Sequence, residues 1–415
     1  MAVTEAQARR AVRRAEFEWD PLVADGRDEK NQRHAHQGIL AVTTAAFACA
    51  RVQLRRVEDF NADLGPGARK RLGSSRQISD STFYRTLSKQ KPRGLRETVR
   101  NQVRDLVDRK VVANDIFPLG VLSIDGKLLW SSTSHTVDGA KMSIDENSGV
   151  VTASLMSVRA VLTSSKVAPC LDVEVIGDKT GEPPAFRELF PRVNEHFGRH
   201  FDIVTADAGL TCRENALRVT GVGKWYLFGL KGNQPKLHEL AEQMFRDCPG
   251  TLKARSDDWR NGAAIIRELH TITVKDVAEI DVSGIQQLWR VRQQTFVGEK
   301  VVAEEVRYFI SSTPPTRLSP TQQLRLVRLH WCIENGHNWT MDMALLEDDV
   351  QPCQANRDAI ESIGWLRILG YNLLSAWRAQ APKKDRQPAS WARCIEQLRD
   401  AFVFGTGGAL RATLA

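Results

Sequence analysis

The chain has 415 residues, of which 42% are hydrophobic and 26% charged, so it reads as soluble and globular, with two or three folded units, and not as a disordered polymer. No apolar run approaches the roughly 20 residues of a membrane helix, and the Arg-rich N-terminus lacks a signal-peptide core. Seven scattered Cys without a C-x-x-C pair argue against a zinc site or disulfide framework and for a reducing, cytoplasmic compartment. Residues 1–117 hold 23 of the 58 Lys and Arg but only 15 of the 50 acids, so the whole +8 excess lies there and the remaining 298 residues are neutral. Such a basic quarter fits a polyanionic partner such as nucleic acid, each cation near a phosphate releasing counterions. A merely soluble basic domain is the plainer alternative.

Residues 1–116 read as a helical basic region. "HAHQGILAVTTAAFACARVQ" is apolar nearly all round, as a central helix would be. The loop "LGPGARKRLGSSRQ" follows, then "ISDSTFYRTLSKQ", a helix opening on a Ser or Asp cap. Short helices joined by basic turns suit a helix-turn-helix-like DNA reader and equally a small bundle. The candidate DNA contacts are Arg69, Lys70, Arg71, Arg76 and Arg85.

From 117 to 249 the texture becomes α/β. "PLGVLSID" reads as a short strand ending in an acid, with "KLLWSSTS" as a second strand pairing with it. "VTASLMSVRAVLTSS" and "CLDVEVIG" are further strands, and "PPAFRELFPRVNEHFG" is a helix. "FDIVTAD" is another strand ending in an acid, then come the helix "CRENALRVTG" and the strand "KWYLFGLKG". This alternation implies a mixed sheet flanked by helices. Residues 250–315 show alternating stretches ("AAIIRELHTITVKDV", "IQQLWRVRQQTFV", "VVAEEVRYFISS") and read as an antiparallel β-rich insertion. Helices return over 316–381, and 382–415 form a helical tail behind the linker "APKKDRQP".

Asp125 in "LSIDGK" and Asp207 in "IVTADAG" each end a predicted strand, where α/β sheets open their ligand crevice. Singly, each fits a turn or a helix cap. Together with a third acid, Glu334, on the later segment "HWCIENGHNWTMDMALLEDD", they suit Mg²⁺, which takes a few oxygen ligands from protein and the rest from water and phosphate. Three carboxylates can hold two such ions roughly 3.5–4 Å apart and stabilise a phosphoryl displacement. With a basic DNA-reading end, these features suggest a metal nuclease or strand transferase.

The stretches "LSIDGK", "KTGE", "IVTADAG", "YLFGLKGNQPKL", "RYFISS" and "RLHWCIEN…W.MDM.L.ED" resemble, in order and spacing, the DDE transposases of bacterial insertion sequences, in the branch that includes the H-repeat-associated proteins. The resemblance covers about residues 118–370, and "SDSTFYRTL" is similar to that branch's N-terminal region. It implies an RNase H-like core with a β-rich insertion before the catalytic-Glu helix. It also implies Asp125, Asp207 and Glu334 as the triad holding two Mg²⁺, with Mn²⁺ as substitute, and Lys127 and Lys231 as phosphate contacts. Solvated strand ends are the plain reading of both lysines. Lys179 and Glu182 in "KTGE" match a family motif with Gly181 where Asn is usual, and they equally form a helix start.

At α-helical spacing Glu334 shares a face with His330, Asn338 and Met341. The wider superfamily has Arg and Lys where this chain has His330 and Met341, so His330 alone is left as a phosphate contact on that face. Asn338 and Asp342 are placed around the triad as supporting groups, Glu347 and Asp348 as helix-end caps, and Trp331, Ile333 and Trp339 in the core. Trp289 or Trp259 would stack on a flipped base, the plainer reading being core or sheet face.

The expected activity is Mg²⁺-dependent cleavage at transposon ends and 3′-OH strand transfer into target DNA. Implied partners are double-stranded DNA (terminal inverted repeats and target) and a second copy of the chain in a nucleoid-associated complex. The alternatives are an inactive, transposase-derived DNA-binding regulator and a nuclease without strand transfer.

Overall fold

The structure, a computed structural model, describes residues 4–404 except 75–76, 179, 249–250, 261, 275–281, 283 and 382–388. Six helices come first: α1 (Glu5–Arg14), α2 (His36–Ala48), α3 (Leu54–Asp63), α4 (Pro66–Arg71), α5 (Asp80–Leu87) and α6 (Leu95–Asp108). As its uniformly apolar sequence requires, α2 is buried from Gly38 to Ala48. It packs on α11 (Arg357–Gln380), itself buried along most of its length. Gly370 permits the close approach, because a Cβ there would stand 3.1 Å from Ala48 N and Thr44 O. The last helix, α12 (Trp391–Phe404), joins the same core, with Phe402 edge-on to Phe60 at 5.8 Å.

Ten strands form one mixed sheet. They are β1 (Val121–Ser132), β2 (Lys141–Ile144), β3 (Val151–Leu162), β4 (Cys170–Ile176), β5 (Ile203–Ala206), β6 (Trp225–Leu230), β7 (Thr251–Arg260), β8 (Ala263–Thr273), β9 (Gln287–Val297) and β10 (Lys300–Ser311). The order is β2-β3-β1-β5-β6-β10-β9-β8-β7, with β4 also on β3. β1 runs antiparallel to β3 and parallel to β5, and β5 runs parallel to β6. Helices α7 (Glu182–Phe197), α8 (Arg213–Gly221) and α9 (Pro235–Asp247) bury one face through Leu122, Ile124, Val204 and Phe228. Helix α10 (Pro320–Cys332) covers Val121, Ile203 and Leu227 on the other, as the two-residue strand period dictates. The architecture is mixed α/β.

Two readings from sequence need correction. "LSID" and "KLLWSS" are not two paired strands but one twelve-residue strand, so Asp125 lies in mid-strand. The Asp-Gly pair that looks like a turn works differently: Gly126, lacking a Cβ, makes room for the Glu182 carboxylate. The region after 250 has four strands and not three. β7, with the polar sequence "TLKARSDDWR", carries little β-propensity and is held by pairing with β8 at the sheet edge. The four strands extend the central sheet through the β6–β10 pairing.

Candidate active site

The register Ile124↔Ala206 between β1 and β5 sets Asp207, the residue after β5, beside Asp125. Asp207 caps the following turn, accepting from Leu210 N at 3.2 Å. Glu182 is the first residue of α7, and its carboxylate lies over the glycines that follow both aspartates. A Cβ on Gly126 would stand 2.1 Å from Glu182 Oε1, and one on Gly209 would stand 2.8 Å from Oε2. The sequence left Glu182 as a helix start, which it is, and missed that the same position drops its acid between Asp125 and Asp207. Its partner in that motif, Lys179, lies outside the described residues.

Glu334 arrives on a helix of changed pitch. After α10 the chain widens into two π-helical segments, Ile333–Asn338 and Thr340–Ala344, a form that bonds i to i+5 and recurs at functional sites. Burial accordingly repeats every four residues. Ile333, His337, Met341 and Leu345 are all 0% exposed. Glu334, itself exposed, and the half-buried Asn338 and Asp342 form the next stripe, and Asn335, Trp339 and Met343 the uniformly exposed one after it. The α-helical face expected around Glu334 is therefore only partly realised. Asn338 is on it, and its Nδ2 donates to Asp125 Oδ2 at 2.9 Å. Met341 belongs to the core stripe. Trp339, expected in the core, is 48% exposed. His330, expected at phosphate, is buried with Nδ1 3.2 Å from Thr205 Oγ1, and burial pushes its pKa down to about 4.

Burial and, after it, the charges of Asp207, Glu334 and Glu182 push Asp125 up to about 7. Glu182 is raised by burial and by Asp207. Burial raises Glu334 too, against the opposing charge of Arg307 and Lys231. Among the described residues, no three of these groups close around a single ion in this structure. The donor set still fits a hard divalent cation. All its charged members are carboxylates, their repulsion is what a cation relieves, and Asn338 Oδ1, buried without a hydrogen-bond partner among the described residues, adds a neutral oxygen beside Asp125.

Behind this cluster lies a buried ionic network. Lys127 shares the Asp125 side of β1, but it is 6% exposed and not presented to solvent, because Asp342, Asp348 at 3.3 Å and Glu347 at 3.7 Å surround its ammonium. Glu347 is no helix-end cap. It is fully buried and pairs with the equally buried Arg159 at 2.9 Å. Burial alone would raise Glu347, but Arg159 and Lys127 outweigh it and hold the carboxyl below its ordinary value. Arg159 was legible as an Arg inside the apolar strand "SVRAV", a pattern that demands a buried acid. Lys231 is exposed just past β6, where Asn233 Nδ2 ties the loop to Ala208 O at 2.6 Å.

The basic N-terminal residues are placed unevenly. Arg69 turns inward, donating to the carbonyls of Asn61 at 2.8 Å and Ala62 at 3.1 Å at the end of α3. Arg71 pairs with Glu16 at 2.6 Å, and Arg85 folds onto Ser81 O at 3.1 Å. Lys70 is exposed, and Arg76 lies outside the described residues. Of the other tryptophans, Trp289 is fully buried, Trp259 is 74% exposed, and Trp331 is half-buried beneath Arg307. No helix among the described residues is long and apolar enough to cross a membrane.

No family model matches the chain. It is similar to "Putative protein YbfL" of Escherichia coli K12, at 24% identity over 89% of this chain and 93% of that one. It is also similar to "H repeat-associated putative transposase YhhI" of the same strain, at 26% over 45% of this chain and 52% of the relative. "Putative transposase YncI" of E. coli O157:H7 is 25% identical over 42% of this chain and 45% of its own. The chain thus spans nearly all of the first relative and about half of the other two. A solved piggyBac transposase synaptic complex with hairpin DNA aligns over 91% of this chain and 74% of that one, at 11% identity and a TM-score of 0.43.

Proposed function

We propose that this chain is a DNA transposase of the DDE type, with an RNase H-like core formed by β4-β3-β1-β5-β6 and α7–α9. The observation that carries the reading is the convergence on Asp125. It lies within electrostatic reach of Asp207, Glu334 and Glu182, which together with burial lift it to about 7. Crowded carboxylates at the meeting of two parallel strands are a poor stability device but suit divalent-cation chemistry on phosphodiesters. The transposase names of two relatives and the basic N-terminal quarter support DNA as substrate.

Asp125, Asp207 and Glu334 would hold Mg²⁺ or Mn²⁺, two ions in the full complex, which supply Lewis-acid activation of water and of the leaving oxygen. Asn338 orients Asp125 through its amide. Lys127 neutralises Asp342 and Asp348 behind the triad, so that excess negative charge does not repel phosphate. Lys231 lies at the mouth. The 3′-hydroxyl freed at a transposon end would then attack target DNA, with two copies of the chain bridging two ends.

The test is incubation of the purified chain with supercoiled plasmid carrying the DNA that flanks its gene. Nicks and joined products that need Mg²⁺ or Mn²⁺ and vanish in Asp125→Asn, Asp207→Asn and Glu334→Gln are expected. DNA bound equally well in EDTA and never cut would replace this reading with a regulator; cuts without joining would reduce it to a nuclease.

A further inference from the structure

The proposed chemistry leaves a charge problem. A phosphate entering beside Asp125, Asp207, Glu182 and Glu334 meets four carboxylates, and the helix that carries Glu334 offers it little. His330 is buried and uncharged at neutral pH, Met341 is in the core, and Lys127 is enclosed by its own acids. Beside the metal ions, a protein cation for the phosphate has to come from another element.

We propose that Arg307 on β10, seated on the ring of Trp331 and facing Lys231, is the phosphate-gripping residue of this site. The inference rests on the DNA-cleaving reading above. In the β6–β10 ladder, Tyr308 pairs with Leu230 and Phe309 with Gly229, and one further step in the same register sets Arg307 opposite Lys231. Directly opposed residues of an antiparallel pair project to the same face. The guanidinium carbon of Arg307 is 4.7 Å from the centre of the Trp331 ring, and Trp331 lies three residues before Glu334. Arg307 is therefore aimed at the last turn of α10, just ahead of Glu334, by an aromatic platform, in a geometry that a lysine could not reproduce.

Its Nε donates to Glu305 Oε1 at 2.6 Å, on the same strand, and its side chain stays 37% exposed. A guanidinium has five N–H donors in a fixed fork, so one bond through Nε leaves terminal donors for a bidentate grip on a phosphate. Arg307 and Lys231 also bear on Glu334, where both oppose the rise of its pKa. A cation pair placed this way holds the backbone in register with the acids, positioning that a phosphoryl-transfer site depends on. The motif "RYFISS" contains this Arg, but in sequence nothing ties it to a helix that begins at Pro320.

The experiment is binding of a 30-base-pair duplex in EDTA at a series of KCl concentrations, with plasmid nicking in Mn²⁺ run in parallel. Each phosphate contact contributes about 0.9 to the slope of log K against log salt. Arg307→Ala is expected to flatten the slope by about that amount, and Arg307→Ala with Lys231→Ala by about twice as much. Arg307→Lys is expected to keep the slope but bind more weakly. Glu305→Gln is expected to tighten binding, which a damaged fold would not do. A wild-type slope in Arg307→Ala, or weaker binding in Glu305→Gln, overturns the assignment while leaving the nuclease reading in place. A wild-type chain that neither binds the duplex nor nicks plasmid overturns the DNA-cleaving reading and this inference with it.

Discussion

Asn338 holds Asp125: its Nδ2 donates to the Asp125 Oδ2 at 2.9 Å across the gap between the widened helix and β1. That bond favours the carboxylate over its protonated form and fixes the direction in which its oxygens point. Groups that orient a ligating carboxylate typically cost 10–100-fold when removed. Asn338→Ala is therefore expected to lower Mn²⁺-dependent nicking by roughly 10–100-fold with DNA binding in EDTA unchanged. Loss of both together would assign Asn338 to folding instead.

Asp125 lowers stability at neutral pH. Its folded pKa of about 7 lies above its ordinary 3.8, so between these values the folded chain holds a proton that the unfolded chain has released. Stability then falls as pH rises through this window and levels off above it, by at most about 4 kcal/mol at roughly 1.36 kcal/mol per unit. Asp125→Asn is expected to melt higher than wild type at pH 8 and to lose that advantage near pH 4. Equal melting temperatures across the range would mean that the acids are not crowded in solution.

The same repulsion makes the melting temperature sensitive to metal. Millimolar Mn²⁺ is expected to raise it at pH 8 and to do so less at pH 5.5, where a proton competes for Asp125. The shift should disappear in Asp207→Asn. A shift independent of pH and of that substitution would place the ion elsewhere.

Breaking the Arg159–Glu347 pair strands a charge with no access to water. Glu347→Gln is expected to cost about 3–5 kcal/mol, read by urea denaturation, and a loss under 1 kcal/mol would show that solvent reaches the network.

Much of the frame was legible in the sequence, because most strands and helices announce themselves by period: β3, β4 and α7 lie where their apolar spacing put them. That Asp207 lies next to Asp125 follows from the order and register of β1 and β5, whereas the sequence ties Glu334 to them only through the chemistry of an acid triad and the family resemblance. What escaped was whatever depends on a local rule being broken. A four-residue repeat over Ile333, His337, Met341 and Leu345 is too short to separate from an α-helical stripe, so the sequence alone puts Met341 on the Glu334 face when it is in the core, and Trp339 in the core when it is exposed. Lys127 reads as a solvated strand end until Asp342, Glu347 and Asp348 return to it from more than two hundred residues away. Nothing near Gly126 in the chain reveals the Glu182 carboxylate that occupies the space of its missing Cβ.

Helix α11 lies between the basic helices and the sheet, sharing an apolar core with α2 and meeting β4 through Asn372, which bonds both Cys170 N and Cys170 O. The N-terminal quarter is therefore no detachable module. A fragment starting at Pro118 would present the α2-facing flank of α11 to water and is expected to aggregate, and grafting residues 1–117 onto another enzyme would leave that graft without its inner wall. Any redesign of the basic surface of this scaffold has to be made by substitution within the helices, with their seat on α11 left intact.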